Sequence, residues 1–274
     1  MKWSFNVKSS DYLMENKEET IRLDLKTDGE IVEKQALWAG IRPGMRVADL
    51  GFGSGKTSYH LYKVVQPEGE VVAVDISKDR IIYANHNYKA EGINYIQRDI
   101  REPLDDLGMF DFIWIRFVLE YYKSKGFKIV ENVFRILKPG GILTLIDLDH
   151  NCLSHYGLPG RLEKTFFEIA YILQSKADFD PYMGRKLYSF LYDLGFENIN
   201  INMSPHHLIF GKLKEVDAYN WAKKAQVAVK QLGYKFSQYK GGYEEFYKDF
   251  NNFFADPRRF TYTPLILCSG RKPI

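Results

Sequence analysis

From Met45 onward, short apolar runs alternate with longer segments of helical periodicity. Met45–Leu50, Val71–Asp75, Ile93–Gln97, Phe110–Ile115 and Ile142–Leu148 are apolar almost throughout rather than at every second position. Runs of that length and kind suit strands of a parallel sheet covered on both faces. Between them, Thr57–Val65, Lys78–Ala90 and Ser124–Leu137 carry helical spacing. Lys138-Pro139-Gly140-Gly141 then stops the last helix, because proline removes a backbone donor and glycine accepts the cap conformation. Repeated β-α-β units with short links predict right-handed crossovers and an open, doubly wound α/β sheet.

The flanks follow other rhythms. Residues 1–44 read as a polar leader and then helix, with Ile21, Leu23 and Leu25 forming one apolar stripe. Ile31, Ala36, Leu37 and Ile41 form a second, before the Pro43-Gly44 turn. After Asp149 come helix candidates at Arg161–Gln174 and Arg185–Leu194, the latter closed by Gly195, and an alternating strand at Phe196–Met203. Glu215–Phe254 is again helical, broken near Gly233 and Gly241-Gly242, and Tyr262–Cys268 reads as a final strand. Three regions follow: 1–44, a core at 45–149, and 150–274, in which 151–182 and 215–254 are insertions.

Composition narrows the class without choosing within it. Hydrophobic residues make up 45% and charged residues 27% of 274, an ordinary globular balance. The 19 Tyr and 19 Phe suit an apolar pocket and a plain core equally well. A net charge of +3 is weak for a dedicated nucleic-acid binder. Cys152 and Cys268 form no Cys-x-x-Cys pair and have no histidine at ligand spacing, so no metal site is expected. Met1–Ser10 lacks an apolar signal core, and no run approaches the ~18–20 apolar residues of a membrane span. The expected location is the cytoplasm.

The chemistry concentrates in Val47-Ala48-Asp49-Leu50-Gly51-Phe52-Gly53-Ser54-Gly55-Lys56-Thr57, which follows a strand and opens a helix. Glycines there allow a tight turn and close ligand approach, and the helix start offers amides to an anionic group. A P-loop is excluded because Leu50 stands at its first glycine position. The dinucleotide fingerprint counted from Gly51 would need glycine where Lys56 stands. Asp75 ends the next strand about 25 residues on, where an acid can accept from both hydroxyls of a ribose. Nicotinamide and sulfonium nucleosides both use that device, so Asp75 alone does not separate them. Asp99 ends the third strand.

Asp49-x-Gly51-x-Gly53-x-Gly55 matches the acidic-x-Gly-x-Gly-x-Gly motif of class I S-adenosylmethionine-dependent methyltransferases. Phe110–Tyr121 and Asn132–Gly141, ending in Lys-Pro-Gly-Gly, resemble the fourth strand and the fifth-strand approach of the ubiquinone/menaquinone-biosynthesis group. The resemblance runs from about Tyr12 to Asp149 and more loosely over Ala255–Lys272. It implies a Rossmann-like seven-stranded sheet, mostly parallel with the last strand antiparallel, and helical insertions forming a cap. The implied cofactor is S-adenosylmethionine, leaving as S-adenosylhomocysteine. Asp49, Gly51, Gly53 and Gly55 would serve its methionine part, Asp75 the ribose, and Asp99 the adenine amino group, with Ile76 and Ile100 against the adenine faces. Arg116 and Phe117 would lie near the methyl, although Arg116 pairing with Glu120 or Asp111 is an equal alternative. Tyr12 and Arg22 would come from an N-terminal helix, Arg22 as a carboxylate partner.

Many relatives carry histidine after the Leu-Glu pair at the fourth strand, where this chain has Tyr121. A tyrosine is a poor base near neutral pH but can orient a substrate by hydrogen bonding. Methyl transfer from a sulfonium needs positioning and dryness more than covalent help. The chain lacks the Asn/Asp-Pro-Pro-Tyr/Phe and Pro-Cys signatures of nucleic-acid methylation. A small apolar or aromatic acceptor is therefore expected between the two insertions. Tyr121 and His150 are the catalytic candidates, and His155, Tyr156 and His206 the substrate contacts. Lys212, Lys214, Lys223, Lys224, Lys230, Lys235 and Lys240 read as a solvated face, or alternatively as a surface for RNA or an acidic protein. A homodimer stays open, and an NAD-dependent oxidoreductase is the competing enzyme class.

Overall fold

The computed structural model describes residues 17–230 and 232–274. Two helices, α1 (Lys17–Lys26) and α2 (Gly29–Ala39), lead into alternating units: β1 (Arg46–Leu50), α3 (Lys56–Val65), β2 (Glu70–Asp75), α4 (Lys78–Asn87), β3 (Ile93–Gln97), β4 (Phe110–Arg116), α5 (Gly126–Arg135) and β5 (Leu137–Leu148). Then follow β6 (His155–Tyr156), α6 (Gly160–Lys176), α7 (Leu187–Asp193), β7 (Glu197–Pro205), β8 (Ile209–Phe210), α8 (Glu215–Lys230), α9 (Gly242–Ala255), β9 (Phe260–Thr261) and β10 (Pro264–Arg271).

Seven strands form one sheet in the order β3-β2-β1-β4-β5-β10-β7. The first five pair in parallel, and β10 runs antiparallel to both β5 and β7. The Rossmann-like expectation holds, last strand included. Central strands β1 and β4 are buried along almost their whole length, which is why they read as continuous apolar runs. One apolar layer sets Ile129, Val133 and Leu187 against the sheet, and the layer on the opposite face sets Val32, Leu61 and Ala84 against it. A third cluster, built on Trp221, Phe236, Phe246 and Phe254, is the core of the cap.

Three local expectations change. In α2, Val32, Ala36 and Ala39 are buried whereas Ile31 and Leu37 face outward, because the former side packs against α3. Lys138–Gly141 does not separate helix from strand but lies within β5. There the pairing with β4 jumps from Phe110–Leu137 to Phe112–Ile142, and Gly140 takes a positive φ of 73°. A second, three-stranded sheet, β6-β9-β8, roofs the cap. Its strands of two residues carry no readable period.

Candidate active site

The strand order reverses between β1 and β4, opening a crevice beyond their C-terminal ends where doubly wound sheets receive ligands. Gly51, Gly53 and Gly55 turn there with φ of 83°, 65° and 91°. At Gly51 a Cβ would lie 2.4 Å from Val118 Cγ2, and at Gly55 2.6 Å from Ala84 Cβ. Glycine thus lets the turn press against the β4 exit and α4. Gly53 N–H donates to Asp75 Oδ2 at 3.0 Å, and Ser77 N–H to Oδ1 at 3.0 Å, with Arg80 Nη1 3.4 Å from Oδ2. Asp75 braces the turn from β2.

Asp75, Ile76, Asp99 and Ile100 line a slot with Gly51 on one side and Phe117, Val118 and Tyr121 on the other. Arg101 holds both oxygens of Asp99, at 2.5–2.9 Å. Burial alone would raise Asp99, but the Arg101 guanidinium and N–H outweigh it and keep the carboxyl below its usual range. Two carboxylates flanking two isoleucines suit a nucleoside, with acceptors for a sugar diol and a base edge and aliphatic faces for the ring. The slot's lining therefore fits S-adenosylmethionine. Asp49 lies beneath this slot rather than in it. It accepts Ser58 Oγ–H at 2.7 Å, and burial pushes its carboxyl up to about 7 against that bond and nearby Arg116.

Phe117 and Tyr121 also line a second cavity of about 190 Å³, roughly ten times what a single water needs. Phe117 has a φ of 58°, unusual for a bulky residue, with its amide tied to Ile146 O at 2.9 Å. Arg116 Cζ lies 4.3 Å and Lys26 Nζ 5.6 Å from the Phe117 ring centre. Arg116 pairs with neither Glu120 nor Asp111, since Asp111 is bound by Lys138 at 2.8 Å and Glu120 by Asn151 Nδ2 at 2.8 Å. Burial lowers Arg116 to about 10.

Glu120 is buried, and desolvation raises its carboxyl despite bonds from Asn151 and Tyr121 and the charges of Lys224 and Lys26. Behind it Asp147, also buried and raised, first by desolvation and then by Glu120, accepts the Glu120 N–H at 3.0 Å. Lys26 is driven down by burial and by neighbouring Lys224 and Arg22. Lys224 comes from the far side, 3.2 Å from Cys152 Sγ. The sequence showed Lys224 only as part of a basic run. Lys212, Lys214, Lys235 and Lys240 are exposed, but α8 turns Lys224 into the cavity.

The other candidates separate. Tyr12 lies outside the described residues. Arg22 lines the second cavity and is held by Glu19 through two 2.7 Å bonds. His206 lines the same cavity with its ring 4.9 Å from Phe117, and its buried Nε2 has no hydrogen-bond partner. Burial lowers His206 well below its usual range, aided by Lys26 and Arg116. The remaining three line neither compartment. His150, at a φ of 49°, packs edge-on against Tyr182. His155 has both ring nitrogens engaged, by Thr261 Oγ1 at 2.8 Å and Cys152 O at 3.0 Å, inside the aromatic cap core. Tyr156 is 74% exposed on the small sheet. No cluster of three or more metal-ligating side chains occurs among the described residues.

Residues 41–195 match a family described as a methyltransferase domain. The chain is 34% identical over 121 residues to the ubiquinone/menaquinone biosynthesis C-methyltransferase of Vibrio campbellii, covering 42% of this chain and 46% of that one. The enzyme of the same name from Yersinia enterocolitica is 30% identical over 178 residues, 59% of this chain and 70% of its own. The chain thus spans about half the length of the first of these relatives. Among solved structures, Haemonchus contortus phosphoethanolamine N-methyltransferase 2 in complex with S-adenosyl-L-methionine shares the fold. Its TM-score is 0.55 at 18% identity, over 94% of this chain and 58% of that one.

Proposed function

The chain belongs to the methyltransferase-domain family, and on that premise we propose that it transfers a methyl group from S-adenosylmethionine to a small acceptor beneath the cap. The observation that carries this reading is that the nucleoside-shaped slot and the apolar cavity share two residues, Phe117 and Tyr121. When bound, S-adenosylmethionine supplies an electrophilic methyl on a sulfonium. Everything else falls to side chains. Asp75 and Asp99 offer acceptors to the sugar and base, Ile76 and Ile100 cover the ring, and the Gly51–Gly55 turn leaves room at the strand ends. Arg22 and Arg116 offer cations to a carboxylate. Phe117, with the phenylalanines of α6 and α9, excludes water from the acceptor, which favours a displacement governed by positioning. Tyr121 orients the acceptor.

Glu120 is the carboxyl facing this cavity, and its raised affinity for protons suits it to take one from an acceptor that must lose it. We assign 151–182 and 215–254 to acceptor enclosure, and the cytoplasm as the setting. Calorimetric titration with S-adenosylmethionine and with NAD is the first test, followed by turnover of labelled cofactor with a metabolite extract. Binding of the sulfonium nucleoside and label transfer are expected. NAD binding without S-adenosylmethionine binding overturns the reading.

A further inference from the structure

Four cationic side chains line the acceptor cavity: Arg22, Lys26, Arg116 and Lys224. Glu120 is the one carboxylate among its lining residues, and Arg22 is matched by Glu19. No carboxylate among the described residues lies within 4.0 Å of the charged atoms of Lys26, Arg116 or Lys224. Arg116 Nε and His206 Nε2 are buried there without hydrogen-bond partners. Withdrawing cations from water without a counter-charge is costly, and removing the partner of a buried charge is among the larger single penalties. Burial favours the neutral forms of Glu120 and of Lys26 alike, and an anion entering beside Lys26 would restore its charge.

The cations are also localised. Lys26 and Arg116 sit over Phe117, at the wall shared with the nucleoside slot. The opposite wall is apolar, from Phe166, Ile169, Leu173, Phe246 and Phe250. Lys224 reaches this wall from the cap side, on α8, where its Nζ lies 4.9 Å from the Trp221 ring centre. A solvated lysine face would leave the ammonium groups in water. Here one of them reaches Cys152 Sγ instead.

We propose that the acceptor is an amphipathic organic anion, with its anionic group between Lys26 and Lys224 and its hydrocarbon body against the α6 and α9 phenylalanines. The proposal rests on the methyltransferase reading for what happens to that ligand, but not for the binding itself. It excludes neutral apolar acceptors as preferred ligands, since they would leave the cations uncompensated.

The test is isothermal titration of the full chain with octanoate and with its neutral counterpart octanamide, with and without saturating S-adenosylmethionine. Octanoate is expected to bind about tenfold or more tightly than octanamide, the range of a charge-assisted contact. Lys224→Met is expected to erase that preference while keeping the parent's cooperative thermal transition, with Lys224→Gln as a second variant should the first misfold. Equal binding of acid and amide by the unaltered chain, binding of neither, or an undiminished preference in a folded Lys224 variant overturns the proposal. A cofactor titration run alongside separates the two readings. Loss of S-adenosylmethionine binding with the acid preference intact sinks the methyltransferase assignment alone, and cofactor binding with no acid preference sinks this one alone.

Discussion

Asp75 lines the slot as a hydrogen-bond acceptor while it also takes Gly53 N–H, Ser77 N–H and, at 3.4–3.5 Å to its two oxygens, Arg80 Nη1. Asp75→Ala removes that acceptor and the brace on the turn together, so S-adenosylmethionine affinity should fall by about 1–3 kcal/mol by calorimetry. Unchanged affinity would remove the ribose role. Asp49 makes a prediction of a different kind. Its folded pKa of about 7 lies above the ordinary 3.8, so the native state keeps a proton that the unfolded chain has already released. The stability tied to that proton is full below about pH 4 and is lost as pH rises through 7. Asp49→Asn keeps an acceptor for Ser58 and abolishes the titration. Its stability relative to the parent should therefore improve between pH 4.5 and pH 8, by about 3 kcal/mol in urea unfolding. A pH-independent difference would show that Asp49 is ionised in the folded state throughout. The positions of single residues were legible where their setting is local. Gly51, Asp75 and Asp99 each follow a strand they terminate. His155 and Tyr156 were not, because their surroundings come from β9, α6 and α9, about a hundred residues further on in part.

Elements were easier to read wherever burial on both sides left an unbroken apolar run. The five parallel strands stand within one or two residues of expectation, apart from the early start of β5, which takes in its glycine turn. Where a helix buries only one face, its packing partner selects that face, as α3 does for α2. The glycine turn couples α3 to α4 through Gly55, whose added Cβ would meet Ala84 Cβ at 2.6 Å and Cα at 3.2 Å. Gly55→Ala must also hold a φ of 91°. It should cost about 1–3 kcal/mol in chemical denaturation, the range for overpacking a closed interface. A neutral result would mean that α4 yields freely, and with it the floor of the slot. Above the turn, α1 is fastened to both helices, by Lys56 Nζ on Asp24 O at 3.1 Å and by the Tyr88 hydroxyl on the Asp24 carboxylate.

At the scale of the whole molecule, the sheet and the slot could be inferred from the sequence because each depends on neighbours in the chain. An apolar enclosure between the two insertions could be expected too, but the charges inside it could not. Lys26, Glu120 and Lys224 meet only after the sheet has closed and the cap has folded back, so no window of sequence contains their charge balance. A ligand that binds only the native state stabilises it by mass action, by about 2.7 kcal/mol at a hundred times its dissociation constant. Saturating S-adenosylmethionine should therefore raise the thermal midpoint, with NAD at equal concentration leaving it in place; protection by NAD instead would reverse the assignment of the slot. The roots of the cap show how its parts are attached. Asn151 N–H donates to Pro181 O at 2.9 Å where the first insertion leaves and returns, and His206 N–H donates to Thr263 O at 2.8 Å where the second does. Each excursion is pinched shut at its base against the sheet. Either excursion can therefore change in length or sequence without loosening the strands that carry the glycine turn.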